Sequence, residues 1–334
     1  MRMRKVATTL FILITIYSIY KYKYNRLVTF QPATVTESPH NTREVYATLL
    51  CPQSRNTASK TNGIDFYYEA TRVLTYRLLH KSSTKDIHNR QLIVLATELV
   101  LPEQIRQLRQ DGAIVKVVTA IRAPKDVNRR RYMARWRDQY TKLLLWQMTE
   151  YSKILYIDSD IIPIRPLSSI FDTPFSIDKE GQPYLFAATY DSSRARRYGR
   201  YSQPVPILGP DDKYAGDIPH AGLFLIHPSE KQSKYLQSLY DNPPQGQNFI
   251  SFMEQSLLKY AYRDGGDYHW TRLSQMYNTQ WPRSVDMNAS YALHDKFWKR
   301  DCLKACDLVK YWFTAWGEMQ GWFETIQNNA TVYR

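Results

Sequence analysis

Short apolar runs alternate with amphipathic stretches along the first half of the chain. The runs at residues 44–50, 92–97 and 113–118 have the length and composition of β-strands. Between them, residues 66–78 and 103–108 place apolar side chains at helical spacing, which predicts a helix after each of the first two strands. Alternating strands and helices are typical of a parallel sheet covered by helices on both faces. The pattern therefore predicts an α/β fold.

The next apolar run, at residues 154–157, predicts a buried strand that ends in two acidic residues, Asp158 and Asp160. In open α/β sheets, ligands bind outside the carboxyl ends of the strands. Two carboxylates one residue apart can both face a divalent cation such as Mn²⁺ or Mg²⁺ if the chain bends at Ser159. Because Asp-x-Asp pairs are common in unrelated sequences, a solvated acidic turn is the alternative interpretation.

The second half of the chain has a less regular pattern. An amphipathic helix over residues 132–150 is predicted to lead into the acid-tipped strand, and strands are predicted at 185–188 and 220–226. The polar stretch 192–219 predicts a long loop, of the kind that is either functional or disordered. Residues 252–258 predict the start of a further helix.

Aromatic residues and two cysteines gather near the carboxyl end. The aromatic side chains at residues 308–323 are typical of core or subunit packing, which leaves a homodimer open, and a sugar-stacking platform is the alternative. Cys302 and Cys306 are close enough in sequence to pair in an oxidising compartment. Cys51 is expected to be a buried thiol.

An uncharged segment at residues 6–20 is flanked by basic residues on both sides. It is shorter than the roughly 20 residues of a usual spanning helix, so a cleavable signal peptide is the alternative. The tyrosines and lysines that follow, and the lack of a cleavage site, favour an uncleaved signal-anchor. The sequence thus predicts a short cytosolic tail (1–5), one membrane-spanning helix (6–20), a stem (21–43) and one large domain (44–334).

The charge balance narrows the ligand class. The chain has a net charge of +14, of which six positive charges lie in residues 1–26, and this leaves +8 for the rest. A basic domain suits an anionic or nucleotide ligand, but no nucleic-acid-binding motif is present, so no nucleic-acid partner is predicted. The sequence also lacks a G-x-G-x-x-G motif after the first strand and a P-loop motif, which excludes standard dinucleotide dehydrogenases and P-loop enzymes.

Several short motifs follow one another in an order that resembles one enzyme family. They are Ala47-Thr48-Leu49, Tyr67, Thr141-Lys142-Leu143, Asp158-Ser159-Asp160, Ala187-Ala188, Ala221-Gly222, Glu254-Gln255 and His294. Over about residues 44–300 the chain resembles the glycogenin-like glycosyltransferases of family 8, and within them the fungal Golgi N-acetylglucosaminyltransferases. The resemblance implies a GT-A fold, which is Rossmann-like with a mixed, mostly parallel sheet. It also implies a UDP-sugar donor, a Mn²⁺ cofactor with Mg²⁺ as the alternative, and transfer with retention of configuration.

The resemblance also implies a role for each matched residue. The implied metal ligands are Asp158, Asp160 and His294. The implied catalytic residues are Asp158, Asp160, Lys142, Glu254 and Gln255. The donor is expected to be bound by Thr48, Leu49, Tyr67, Lys142, Ser159, Ala221, Gly222 and Lys296. Among these, Lys296 follows His294 closely and is expected to face the diphosphate.

Departures from the family pattern, among them Ser251 where the glycogenins carry an aspartate, leave the identity of the sugar open. The family's Asn-Ser-Gly is His220-Ala-Gly in this chain, its Asp-Gln is Glu254-Gln255, and the Gly and Lys-Pro-Trp after the histidine are replaced by residues 295–298. The predicted function is transfer of N-acetylglucosamine or glucose to a glycan or glycoprotein acceptor in the Golgi lumen, by a single-pass type II membrane protein. The alternatives are a glycogenin-like initiator of a glucan and an inactive family member that acts as a binding or scaffold subunit.

Overall fold

A seven-stranded sheet forms the centre of the part of the chain that the computed structural model describes. The described residues are 43–52, 63–122, 136, 138–192, 218–247, 249, 252–300 and 302–332. They all belong to one compact unit, Thr42–Arg334.

The strands and helices have the following bounds. The strands are β1 (Glu44–Leu50), β2 (Leu92–Thr97), β3 (Ile114–Val118), β4 (Lys153–Ile157), β5 (Ile161–Pro163), β6 (Ser176–Ile177), β7 (Pro183–Tyr184), β8 (Phe186–Tyr190), β9 (Pro219–Ile226), β10 (Thr271–Arg272), β11 (Thr279–Gln280) and β12 (Ala292–His294). The α-helices are α1 (Phe66–Leu79), α2 (Pro102–Gln110), α3 (Glu230–Asp241), α4 (Glu254–Ala261) and α5 (Cys302–Val332).

The main sheet has the strand order β10-β8-β9-β4-β1-β2-β3. The pairs β4/β1, β1/β2, β2/β3 and β10/β8 are parallel, whereas β9 is antiparallel to both of its neighbours. Side chains that alternate along β1 enter two different cores. Val45 and Ala47 pack on the face of α3 and α4, and Tyr46 packs on the face of α1 and α2. The mixed, mostly parallel sheet with helices on both faces is therefore confirmed.

A small second sheet brings distant parts of the chain to the end of β4. Its order is β11-β12-β5, with β12 antiparallel to β5. Helix α5 lies beyond this sheet, where Trp312 and Phe323 are buried against α1. Core packing of the carboxyl-terminal aromatics is thus confirmed for these two, while Phe313 and Trp322 stay 38% and 41% exposed.

The predicted helix at residues 132–150 is wrong in type and length where the chain is described. Residues Gln139–Gln147 form a 3₁₀ helix, and residues 123–135 lie outside the described part. An amphipathic helix keeps one face in water, but this segment buries Lys142 and Trp146 together with most of its other side chains. Because a 3₁₀ helix rises about 2 Å per residue, it spreads these side chains over a longer path through the core than an α-helix does.

Three further predictions concern the long loop, the membrane anchor and the cysteines. Most of the loop at residues 192–219 and all of the predicted anchor at 6–20 lie outside the described residues. In the described part of the chain, no helix is both long and apolar enough to cross a membrane. Cys306 is disulfide-bonded, whereas Cys51 is a free thiol whose pKa is raised to about 12 by burial.

Candidate active site

A tight turn at the end of β4 presents the two predicted aspartates. The backbone N–H of Asp158 donates to the carbonyl oxygen of Gly222 at 2.7 Å, which continues the pairing of β4 with β9. The N–H of Ile161 then donates back to the carbonyl oxygen of Asp158 at 3.0 Å. This bond closes a turn through Ser159, as the sequence predicted. Asp158 remains partly exposed, whereas Asp160 is 6% exposed.

The small sheet delivers His294 to the same turn. The register of β12 against β5 pairs His294 with Ile161, next to Asp160. The Nε2 atom of His294 lies 3.2 Å from Oδ1 of Asp160. One potential ligand atom from each of Asp158, Asp160 and His294 lies within 4.8 Å of the others. Three residues that the sequence places far apart therefore converge in space.

The amide of Asn278 determines which nitrogen of His294 is free. The Asn278 Nδ2 group lies 3.1 Å from Thr189 Oγ1 and 3.1 Å from His220 Nδ1, so its Oδ1 faces Nδ1 of His294 at 2.9 Å. An amide oxygen accepts, so Nδ1 of His294 carries a proton, and the neutral ring in this tautomer presents the lone pair of Nε2. In that tautomer Nε2 and Oδ1 of Asp160, which lie 3.2 Å apart, are both acceptors. A cation between them satisfies both.

This donor set fits a divalent metal. Two ligands at right angles on an ion with bonds of about 2.1 Å stand about 3 Å apart, close to the 3.2 Å between His294 and Asp160. Carboxylates with one imidazole suit Mn²⁺ better than Mg²⁺, which prefers oxygen alone. Asp158, Asp160 and His294 are accordingly the residues that could hold the metal, as predicted.

Charge at the site is concentrated on Asp160 and Lys296. The ammonium of Lys296 donates to Oδ2 of Asp160 at 2.6 Å. Burial alone would raise the pKa of Asp160, but the ammonium of Lys296 beside it holds the pKa well below its usual range. Asp160 is therefore a carboxylate at neutral pH. By contrast, burial lowers the pKa of His220 to about 4, so this second histidine, whose ring lies 5.1 Å from that of His294, is neutral.

Lys142 is the centre of a buried ion-pair network. Its ammonium lies 3.0 Å from Oδ1 of Asp158 and 2.8 Å from Oε1 of Glu254, and it donates to the carbonyl oxygen of Ala221 at 2.9 Å. Burial alone would lower the pKa of Lys142, but the two carboxylates raise it above its usual value. Its three N–H bonds are all used in this structure. A contact of Lys142 with the donor stays a prediction, and it requires the exchange of one of these bonds.

Tyr156 is a site residue that the sequence analysis missed. Its hydroxyl donates to Oδ1 of Asp158 at 2.6 Å, on the same oxygen that Lys142 contacts. Both bonds fall on Oδ1, so Oδ2 of Asp158 is the oxygen available to a ligand. The signal was present in the sequence, because residues two apart on a strand point to the same face.

Glu254 and Gln255 lie beside the site but are held by protein groups. Glu254 is 4% exposed, and burial raises its pKa against the opposing effect of Lys142. Gln255 accepts a hydrogen bond from the N–H of Ala221 at 3.0 Å and donates to Asp191 at 2.9 Å. Both side chains contact protein groups in this structure, and their catalytic roles stay predictions. Asp191, which the sequence analysis also missed, is thereby anchored next to β9.

The backbone before this pair is strained. Met253, which is not a glycine, has φ of 48° and ψ of −126° and is 1% exposed. Side chains other than glycine's disfavour this region, and residues held there often mark functional sites. The strained residue directs the chain into α4 so that Glu254 enters the first turn of the helix, where it meets Lys142.

Three of the predicted donor-binding residues, Thr48, Leu49 and Gly222, lie on strands β1 and β9 of the main sheet. Gly222 has no room for a side chain, since a Cβ atom there would lie 2.6 Å from Cε1 of His220 and 2.8 Å from Cε1 of His294. The hydroxyl of Thr48 is buried without a hydrogen-bond partner among the described residues. Leu49 is 7% exposed and packs in the core. These positions are compatible with a bound donor, and their roles stay predictions.

Tyr67, at the start of α1, lies near Lys296, the residue that pairs with Asp160. Its ring makes an edge contact with Trp298 at 5.4 Å, and the ammonium groups of Lys296 and Lys299 lie 6.0 Å and 5.8 Å from the ring centre. An aromatic face with two cations beside it suits an anionic ligand that carries a flat ring. A nucleotide is such a ligand.

The chain is similar to one family model and to proteins of yeast and plants. The family model described as Glycosyl transferase family 8 matches residues 10–297. An uncharacterized protein of Schizosaccharomyces pombe is 30% identical over 295 residues, with 80% of this chain and 77% of that protein covered. Galactinol synthase 3 of Arabidopsis thaliana is 24% identical, with 65% of each chain covered.

A solved structure shares the fold. The apo-form glycosyltransferase GlyE of Streptococcus pneumoniae TIGR4 has 14% identity and a TM-score of 0.51, with 85% of this chain covered. The match spans 64% of the length of that protein.

Proposed function

Because the chain belongs to glycosyl transferase family 8 and is a UDP-sugar-dependent glycosyltransferase, we propose that it moves N-acetylglucosamine or glucose from the UDP-sugar to a glycan acceptor, with a bound Mn²⁺ ion and with retention of configuration. The observation that carries the proposal is the convergence of Asp158, Asp160 and His294 at the carboxyl end of β4. Lys296 and Tyr67 beside this group supply the charge and the flat face that a nucleoside diphosphate needs.

Each residue of the site has a task in this reaction. The bond between the anomeric carbon and the diphosphate breaks, so negative charge grows on the departing UDP. A bound divalent ion supplies positive charge to that leaving group. Asn278 holds the ring of His294 so that Nε2 faces Asp160, where both could bind the ion. Lys142 holds Asp158 in place beside β9.

The acceptor is expected to attack from the face that the diphosphate leaves. Its hydroxyl oxygen forms the new bond to the anomeric carbon, and its proton passes to the departing phosphate oxygen. Glu254 takes part indirectly, since its carboxylate and that of Asp158 share the one ammonium of Lys142. This division of tasks requires no second carboxylate in contact with the sugar.

The decisive experiment measures UDP release and glycan product with a panel of UDP-sugars and MnCl₂, using the full-length chain in mild detergent. Asp160→Asn replaces an anionic ligand by a neutral amide and is expected to lower the rate by at least about 10²-fold. Asp267→Asn is a matched control, because Asp267 forms an exposed ion pair with Lys179 at 2.7 Å. Activity of Asp160→Asn equal to the control would contradict the metal assignment. No UDP release with any donor would favour the scaffold alternative.

The proposal includes a location. We place the catalytic domain in the Golgi lumen, held by a type II anchor at residues 6–20, and this part is supported by the apolar sequence alone. Protease treatment of sealed vesicles tests it. The large domain should survive until detergent is added, and digestion of intact vesicles would contradict the topology.

A further inference from the structure

Lys296 already occupies one oxygen of a predicted metal ligand. It lies two residues after the end of β12 and immediately before the short 3₁₀ helix Phe297–Lys299. Its ammonium lies 2.6 Å from Oδ2 of Asp160, while Nε2 of His294 lies 3.2 Å from Oδ1 of the same carboxylate. Asp160 is 6% exposed, so solvent does little to screen this ion pair. The protein thus neutralises Asp160 with a cation of its own.

A divalent ion bound between Asp160 and His294 would be a close neighbour of this ammonium. The two oxygens of one carboxylate are only about 2 Å apart, and like charges at such short range repel strongly where water is excluded. Entry of the metal therefore requires that Lys296 withdraw or that the repulsion be offset. The side chain of Lys296 is 31% exposed and has room to move toward solvent.

A diphosphate offers Lys296 a second partner. The ammonium groups of Lys296 and Lys299 lie within 6.0 Å of the centre of the Tyr67 ring. The ammonium of Lys296 also forms the ion pair with Asp160. When an anion binds the ammonium of Lys296, Oδ2 of Asp160 loses its ion-pair partner. The carboxylate is then no longer neutralised by a cation of the protein and can bind the metal with its full negative charge.

We propose that Lys296 is an internal counter-cation that competes with the divalent metal for Asp160 and is released to the diphosphate, so that the metal and UDP each strengthen the binding of the other. This inference rests on the proposed function, because it takes Asp158, Asp160 and His294 to be the metal ligands. The coupling is reciprocal by linkage: the factor by which UDP tightens Mn²⁺ binding is the factor by which Mn²⁺ tightens UDP binding.

The test measures Mn²⁺ binding to the full-length chain in mild detergent, without a sugar donor. Free Mn²⁺ is followed by electron paramagnetic resonance, with and without UDP. Lys296→Met removes the competing charge and is expected to tighten Mn²⁺ binding in the absence of UDP at least tenfold. It should also reduce the enhancement by UDP. Lys296→Arg keeps the charge and is expected to retain the weak binding of the wild type.

Lys299→Met is the matched control. It removes a cation near the same ring but not from Asp160, and it is expected to change Mn²⁺ affinity less than threefold. Equal Mn²⁺ affinity of the wild type and Lys296→Met would overturn the inference and leave the metal site standing. An equal increase in Mn²⁺ affinity in Lys296→Met and Lys299→Met would also overturn it. The increase would then come from the loss of any nearby positive charge and not from the loss of the ion pair with Asp160. Absence of Mn²⁺ binding to every protein, even with saturating UDP, would refute the metal site itself. Thermal melting of each variant verifies that it is folded.

Discussion

Replacement of Lys142 by methionine tests whether the ion-pair network holds the site together. The substitution keeps the length of the side chain and removes its charge. Lys142 is 2% exposed and lies 2.8 Å from Glu254, and no other cation contacts Glu254 within the described part of the chain. The variant therefore leaves a buried carboxylate without a counter-charge. Asp158 loses the same partner but is 25% exposed, so water can solvate it.

The size of the effect follows from the burial. Removal of one partner from a buried ion pair typically costs about 3–5 kcal/mol in the free energy of unfolding. For a domain of roughly 290 residues, each kcal/mol lowers Tm by about 1.6 °C. Lys142→Met is thus expected to melt about 5–8 °C below the wild type at pH 8.

The pH dependence provides an internal check on the cause. Burial raises the pKa of Glu254 in the folded protein, and loss of Lys142 raises it further. A carboxyl group with a raised folded pKa contributes stability that is fully present below its unfolded pKa and is lost as the pH rises through its folded pKa. The stability deficit of Lys142→Met should therefore be small near pH 4.5 and grow toward pH 8.

A double variant separates charge from packing. Lys142→Met with Glu254→Gln removes the uncompensated charge, so it should recover most of the lost Tm at pH 8. Its transferase activity should stay low, since Asp158 is still unsupported. Thermal melting over pH 4.5–8 decides the matter. A single variant as stable as the wild type at pH 8, or a double variant no more stable than the single one, would refute the argument.

Three further predictions concern the same turn and the sheet below it. Gly222→Ala is expected to lower Tm and activity together, because the new Cβ would lie under 3 Å from the rings of His220 and His294; an unchanged Tm would contradict the close packing. His294→Ala is expected to weaken Mn²⁺ binding and turnover while the metal-free Tm barely changes, whereas an unfolded variant would make this residue structural. Burial alone would raise the pKa of Asp86, but hydrogen bonds from Arg90 and Tyr46 lower it. Asp86 thus contributes stability that is present above its unfolded pKa and is lost as the pH falls through its folded pKa, so Asp86→Asn should lower Tm at pH 7 and lower it less at pH 3.

Much of the fold follows from local pattern. An unbroken apolar run such as 92–97 is favourable only when both faces are covered, and the spacing of apolar residues at 66–78 leaves one helical face for the core. The strands and helices around them were therefore predictable with nearly the observed bounds. The end of β4 at the Asp-Ser-Asp segment was predictable for the same reason, since the apolar run stops at Asp158.

Which residues contact one another within the site was decided by the tertiary structure. The register of β12 against β5 places His294 next to Asp160, and the fold brings Asn278 to its Nδ1 atom. Lys142 was predicted to reach the donor, yet the 3₁₀ helix buries it among carboxylates. Periodicity reports which face of an element is buried, and it carries no information on which distant residue lies opposite. That is decided by strand order and register, because only the assembled sheets bring residues more than 100 positions apart within the 2.6 Å that separates Lys296 from Asp160.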